Sequence, residues 1–186
     1  MIKTVRKIVI DEAHWRMGRL LKLRLPWLVL GLGVGIAGSV VMSRFEQLLA
    51  RNISLAFFVP IIVYMSDAVG TQTETIFVRD LAGKRVKFLK YLVKELILGM
   101  YMGLVLGAGI GAAAWIWLKS VPIALTVGLA MFLNVAISPL VALGVAEVLF
   151  KGKTDPAVGA GPFTTVIQDV ISLIIYLLIA SLVIWG

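Results

Sequence analysis

Residues 96–118 form a run of 23 amino acids without a charge. As a helix rising about 1.5 Å per residue, the run is about 35 Å long, enough to cross a hydrocarbon core of about 30 Å. Four more stretches approach this character: 26–43, 53–78, 123–147 and 163–185. The composition agrees: 60% of residues are hydrophobic, 15% are charged and mean hydropathy is +1.01. Soluble domains sit near 45–50% apolar and about 25% charged. The reading is an all-α polytopic membrane protein with five transmembrane helices, multi-pass in the cell membrane. Its 186 residues are expected to fold as one membrane bundle without a separate soluble domain.

Residues 1–25 read as a basic, amphipathic lead-in helix at the cytoplasmic interface. Residues 26–186 read as the five-helix domain, with Pro26 suited to a helix start and Trp27 to the interfacial aromatic belt. The connecting stretches are 44–52, 79–90, 115–122 and 150–162, and Pro139 is expected to kink the fourth span. Fifteen of the 18 basic residues fall in 1–25, 79–94 and 151–153; Arg44, Arg51 and Lys119 fall in the other connections. Five crossings put these two groups on opposite sides. The asymmetry predicts a cytoplasmic N-terminus and an external C-terminus. It also reads the net charge of +8 as a topology signal rather than a nucleic-acid footprint. Cysteine is absent and His14 is the single histidine, which excludes disulfides, thiolate sites and a multi-histidine centre within one chain. The opening residues lack the layout of a cleaved signal peptide.

Gly99, Gly103, Gly107 and Gly111 are four apart and make one smooth helix ridge; Gly31, Gly35 and Ser39 repeat the pattern in the first span. Such ridges let membrane helices approach closely, because lipid offers little hydrophobic drive for association. The expected use is packing within the chain, with a subunit interface as the rival. "GLGVGIAG" lies inside an apolar helix and follows no strand, so it is not read as a nucleotide-binding loop.

The apolar spans also contain acids. An acid at the centre of a membrane helix costs about 2.5–3.5 kcal/mol on insertion scales and is by default a functional residue. On the fifth span, Pro162, Thr165, Ser172 and Tyr176 share a face with Asp169 at helical spacing. On the second, Pro60, Asp67, Thr71 and Glu74 share a face, while Asn134 and Ser138 of the fourth span add neutral oxygens. No lysine or arginine falls clearly inside a span. Oxygen-rich and anionic, without sulfur or imidazole, this inventory suits a hard cation: Mg²⁺, Ca²⁺ or Mn²⁺. Asp169, Asp67 and Glu74 are the candidate metal-binding residues. Thr71, Pro162, Thr165, Ser172, Tyr176 and Asn134 are the candidate path-lining or supporting residues. The competing structural readings make Asp169 a hydrogen-bonded lock, Asp67 the cap of a helix starting at Ala68, and Glu74 a side chain reaching toward Arg79. Glu147 and Asp155 read as rim residues, and Asp11, Glu12 and His14 as a solvated face.

"GTQTETIFVRDLAG" (70–83) resembles the G-T/N-Q-x-x-T-x-x-x-R-x-L-A signature of the MgtE family of magnesium transporters. "TDPAVGAGPFTTVIQDVISLIIYL" (154–178) is similar to that family's last membrane helix, and "LPWLVLGLGVGIAGSVVMSRFE" to its first. The resemblance implies a homodimer whose ion path lies on the two-fold axis, lined by the second and fifth helices. It makes Asp169 the central ion-binding residue, with Pro162 and Thr165 at family positions on the same helix. Three positions depart from the pattern: Asp67 replaces a glycine, Ala68 an asparagine, and Glu74 a small residue. This more acidic second helix favours partial dehydration of the ion, toward Mn²⁺ or Ca²⁺. The resemblance covers the membrane part of the family, so transport without a built-in cytosolic Mg²⁺ sensor is expected. The substrate is thus a divalent cation, foremost Mg²⁺, and the partners are a second copy, the ion and the bilayer. A Na⁺- or H⁺-coupled exchanger of the same fold is the alternative. A metal-dependent intramembrane enzyme finds no nucleophile elbow, His pair or phosphate loop to support it. A non-transporting membrane subunit leaves both acid-bearing faces unexplained.

Overall fold

The computed structural model describes residues 16–83, 87–152 and 156–185. The expected face of Asp11, Glu12 and His14, and the rim position of Asp155, lie outside the described residues. The elements are α1 (Met17–Ser43), α2 (Glu46–Arg51), a 3₁₀ turn (Ile53–Phe58), α3 (Val59–Gly83), α4 (Phe88–Leu118), α5 (Val121–Lys151) and α6 (Pro156–Trp185), with no strand among the described residues. Among these residues five helical stretches are long and apolar enough to cross a membrane: Met17–Ser43, Ile53–Leu81, Phe88–Leu118, Val121–Lys151 and Ala160–Ile184.

Several boundaries differ from the sequence expectation. α1 is already helical at Met17 and runs through Pro26, which therefore does not start it. Pro162 likewise sits inside α6, and Pro139 inside α5. Each proline removes one intrahelical donor, a loss that membrane helices tolerate when neighbouring groups satisfy the freed carbonyl. α4 begins at Phe88, which brings Glu95 within its span. Residues 115–118 remain helical, so the connection to α5 is the pair Lys119–Ser120. Lys119 takes a left-handed φ of 53° and its N–H donates to Trp115 O at 2.9 Å. Ser120 Oγ caps α5 by accepting from Ile123 N at 3.5 Å.

This tight turn folds α4 back along α5, and the glycine ridge makes the contact. A Cβ at Gly103 would lie 2.6 Å from Phe132 O, and one at Gly107 would lie 2.6 Å from Gly128 O. The ridge is used for packing within the chain. In α1 the contact positions are Gly31, beside Val166, and Gly38, beside Val170; Gly35 touches nothing and Ser39 is exposed. A spacing of seven therefore replaces the expected spacing of four. α5 is the central helix, packed against α4, α6 and α3, while α1 leans on α6. Its inward side, Val127, Ala130, Met131, Val135, Ala142, Leu143 and Ala146, is buried.

Candidate functional site

The polar seam expected along α6 divides into two faces. Ala160, Thr164, Gln168, Ser172, Tyr176 and Ala180, each four residues apart, form its buried stripe. Pro162, Thr165 and Asp169 lie beside that stripe and are half-buried. Ser172 and Tyr176, expected with Asp169, belong to the interior instead. The Tyr176 hydroxyl donates to Leu55 O at 2.6 Å, which ties the C-terminal half of α6 to the 3₁₀ turn before α3. Asn134 is fully buried and its Nδ2 donates to Ser172 O at 3.3 Å.

The centre of this interior is Ser66, which the sequence reading did not select. Its Oγ donates to Asn134 O (3.2 Å) and accepts from Gln168 Nε2 (2.5 Å), while its carbonyl accepts from Ser138 Oγ (2.6 Å). One residue thereby joins α3, α5 and α6. Gln168 was also missed, although its offset of four from both Thr164 and Ser172 is visible in the sequence. A face centred on Asp169 excludes it, because one position along a helix turns the face by about 100°. Among the described residues five buried side-chain oxygens have no hydrogen-bond partner within the protein: Asp67 Oδ1, Asn134 Oδ1, Thr164 Oγ1, Gln168 Oε1 and Ser172 Oγ. All belong to the same three helices.

Asp67 and Asp169 are the residues immediately following Ser66 and Gln168. The Ser66–Gln168 hydrogen bond thus fixes the register in which the two acids flank the α3–α6 contact. Glu74 is 8% exposed. It faces α6, where a Cβ on Gly161 would stand 4.0 Å from its Oε1. Glu74 does not reach for Arg79, whose Nε lies 3.8 Å from Asp80 Oδ1. Nor does Asp67 cap a helix, since α3 is continuous from Val59. Glu147 is half-buried and pairs with Lys151 at 3.1 Å. Among the described residues no three His, Cys, Asp or Glu side chains cluster to hold a metal ion. Asp67, Glu74 and Asp169 therefore do not form a single cage within one chain.

The other side of α3 is unusual for a membrane helix. Thr71, Gln72 and Thr75 are exposed, with Tyr64 above them. Asp67 lies on the border between this open polar face and the buried one. Other helices expose apolar residues of the character lipid requires, as with Leu28, Leu32 and Ile36 on α1 and Leu104 and Val105 on α4.

The family model for MgtE, a divalent cation transporter, matches residues 59–179, from the start of α3 almost to the end of α6. The chain is 30% identical over 161 residues to a magnesium transporter MgtE of Bacillus subtilis, a match covering 85% of this chain. It is 32% identical to the magnesium transporter MgtE of Enterococcus faecalis and 30% identical to that of Thermus thermophilus, each over 86% of this chain. The matches take in 36% of each relative's length, so the chain spans about a third of those proteins. With the acids of α3 and α6 inside the matched region, this multi-pass membrane chain belongs to the MgtE family of divalent cation transporters.

Proposed function

We propose that two copies of this chain enclose a path for divalent cations, with Mg²⁺ as the first substrate, between their α3 and α6 helices. One observation carries the reading: Thr71, Gln72 and Thr75 form an open polar face within a span of Ile53–Leu81, directly beside the half-buried Asp67. Hydroxyls and amides turned to hydrocarbon lose their hydration, at a cost of about 2–7 kcal/mol each when unpartnered. Water and a second subunit remove that cost. The path then has Asp169 and Asp67 from each chain as its charged lining, with Thr71, Thr165 and Pro162 beside them and Glu74 deeper against α6. Ser172, Tyr176 and Asn134 act from the interior, holding α6 to its neighbours.

The lack of a three-acid cage among the described residues of one chain fits such an arrangement. Carboxylates contributed singly from two subunits suit an ion that keeps most of its water, and Mg²⁺ dehydrates reluctantly. The extra acids Asp67 and Glu74 increase the pull on a partly dehydrated Mn²⁺ or Ca²⁺. The N-terminus is assigned to the cytoplasm by the distribution of basic residues, in a cell membrane. An inside-negative potential then contributes about 2.3 kcal/mol per charge per 100 mV to inward movement.

Uptake of Mg²⁺, Mn²⁺ and Ca²⁺ into liposomes tests the proposal. Asp169→Asn abolishes flux while the protein elutes as before; unchanged uptake removes Asp169 from the path. Asp67→Asn alters the ratio of Mg²⁺ to Mn²⁺ uptake more than it alters folding. A variant that is destabilised yet keeps its ion preference makes Asp67 structural.

A further inference from the structure

Glu95 is a buried acid outside both acid-bearing faces. It lies within the membrane-spanning length of α4 and is 7% exposed. Its Oε2 accepts a hydrogen bond from Thr73 Oγ1 of α3 at 3.3 Å. An ionisable side chain inside a membrane span is costly and is held there by a specific interaction. One turn further along α4, Gly99 fixes the helix on α5: a Cβ there would stand 3.0 Å from the Pro139 ring. Glu95 thus reaches α3 from a helix already anchored elsewhere.

The far end of that hydrogen bond sits on the inward face of α3. Ser66, Gly70, Thr73 and Phe77 follow one another at spacings of four, three and four, and all are buried. Three have their own holds. Ser66 bonds to α5 and α6, a Cβ on Gly70 would meet Ser138 Oγ at 2.8 Å, and Phe77 packs its ring on Phe88 and Tyr91 at 6.0 and 5.2 Å. Thr73 is held by Glu95. It immediately precedes Glu74, and lies two residues from both Thr71 and Thr75, which are exposed on the other side. The rotation of α3 about its axis decides which of these groups face outward. A turn by one residue, about 100°, would carry Thr71 off the open face.

We propose that Glu95 is a positioning residue for the cation path: through Thr73 it fixes the rotation of α3, and so keeps Thr71 on the open face, Asp67 at its border and Glu74 against α6. This rests on the path assigned above. The contact needs only an acceptor oxygen on the α4 side, so a glutamine at this position retains it.

The absence of cysteine allows a direct test. Single cysteines are placed at Thr71, on the open face, and at Val69, on the buried side. Both are labelled in liposomes with a charged, membrane-impermeant thiol reagent. With Glu95 intact, Thr71→Cys reacts much faster than Val69→Cys. Glu95→Ala and Thr73→Val each reduce the ratio of the two rates by about fivefold, the scale of losing one ordinary hydrogen bond. Combining them reduces it no further, and Glu95→Gln restores it. In the same preparations Glu95→Ala broadens the preference among Mg²⁺, Mn²⁺ and Ca²⁺, and Glu95→Gln does not. An unchanged labelling ratio in Thr73→Val, a near-isosteric change chosen to preserve folding, overturns the proposal. So does a Glu95→Gln variant as perturbed as Glu95→Ala, because the charge would then be the agent. If Thr71→Cys is no faster than Val69→Cys with Glu95 intact, the path itself is misassigned.

Discussion

Gln168 shows how much one residue adjacent to an acid controls. Its side chain is fully buried, and its hydrogen bond to Ser66 crosses from α6 to α3. Gln168→Leu keeps the bulk but removes the donor, while Ser66 Oγ still donates to Asn134 O. The expected loss of stability is modest, about 0.5–1.5 kcal/mol, seen as a lower unfolding temperature in detergent. The larger effect falls on Asp67 and Asp169, whose relative register this bond sets: half-saturation of Mg²⁺ uptake moves to higher concentration. A stability loss with unchanged uptake would separate Gln168 from the acids. The acids themselves were legible in the sequence because a carboxylate in an apolar run is conspicuous. Gln168, Ser66 and Thr164 were not, since neutral polar residues are common in membrane helices. Periodicity also gives a face without saying whether it meets another helix, another chain or lipid. That is why Ser172 and Tyr176 were grouped with Asp169 although they point inward.

At the scale of elements, the α4–α5 pair is held by backbone approach. A Cβ at Gly107 would stand 2.6 Å from Gly128 O, a backbone atom that cannot swing away, whereas one at Gly109 meets nothing within 4 Å. Gly107→Ala therefore forces the helices apart and destabilises by about 1–3 kcal/mol. Gly109→Ala gains up to about 1 kcal/mol of helix propensity. Thermal unfolding of the two variants in one detergent checks the contrast; equal behaviour would mean that the helices are not in contact along this ridge. The spacing of these glycines was sufficient to predict the ridge, because four-residue repeats have one geometric consequence on a helix. The ridge of α1 was less legible. Gly31, Gly35 and Ser39 share a face, but α1 touches α6 at Gly31 and Gly38, and the crossing of two helices selects which small residues meet. The start of α4 was misplaced for a different reason. Starting the span at the first uncharged residue excluded Glu95, a charge that the bundle accommodates seven residues into the helix through Thr73.

At the scale of the whole molecule, the described helices leave one of their surfaces unfinished. α4 presents Leu104 and Val105 outward and α1 presents Leu28, Leu32 and Ile36, while α3 presents Thr71, Gln72 and Thr75. The first two surfaces are complete in lipid, and the third requires water or another subunit. The proposed dimer therefore forms about α3 and not about α4, where a subunit interface was the rival reading of the glycines. Because the ridge of α4 is already occupied by α5, those glycines have no second face to offer. Single cysteines at Thr75 and at Val105, treated in native membranes with a short bis-maleimide, distinguish the two arrangements. Thr75→Cys gives a band of twice the chain's mass and Val105→Cys does not, although Val105 is the more plainly accessible to lipid. Dissolved divalent cation slows the Thr75 reaction, since the ion would occupy the water-filled space between the paired residues. Cross-linking at Val105 in place of Thr75 would put α3 outside the interface. Its polar face would then have to be covered by a different partner, and the carboxylates of two chains could not meet around one ion.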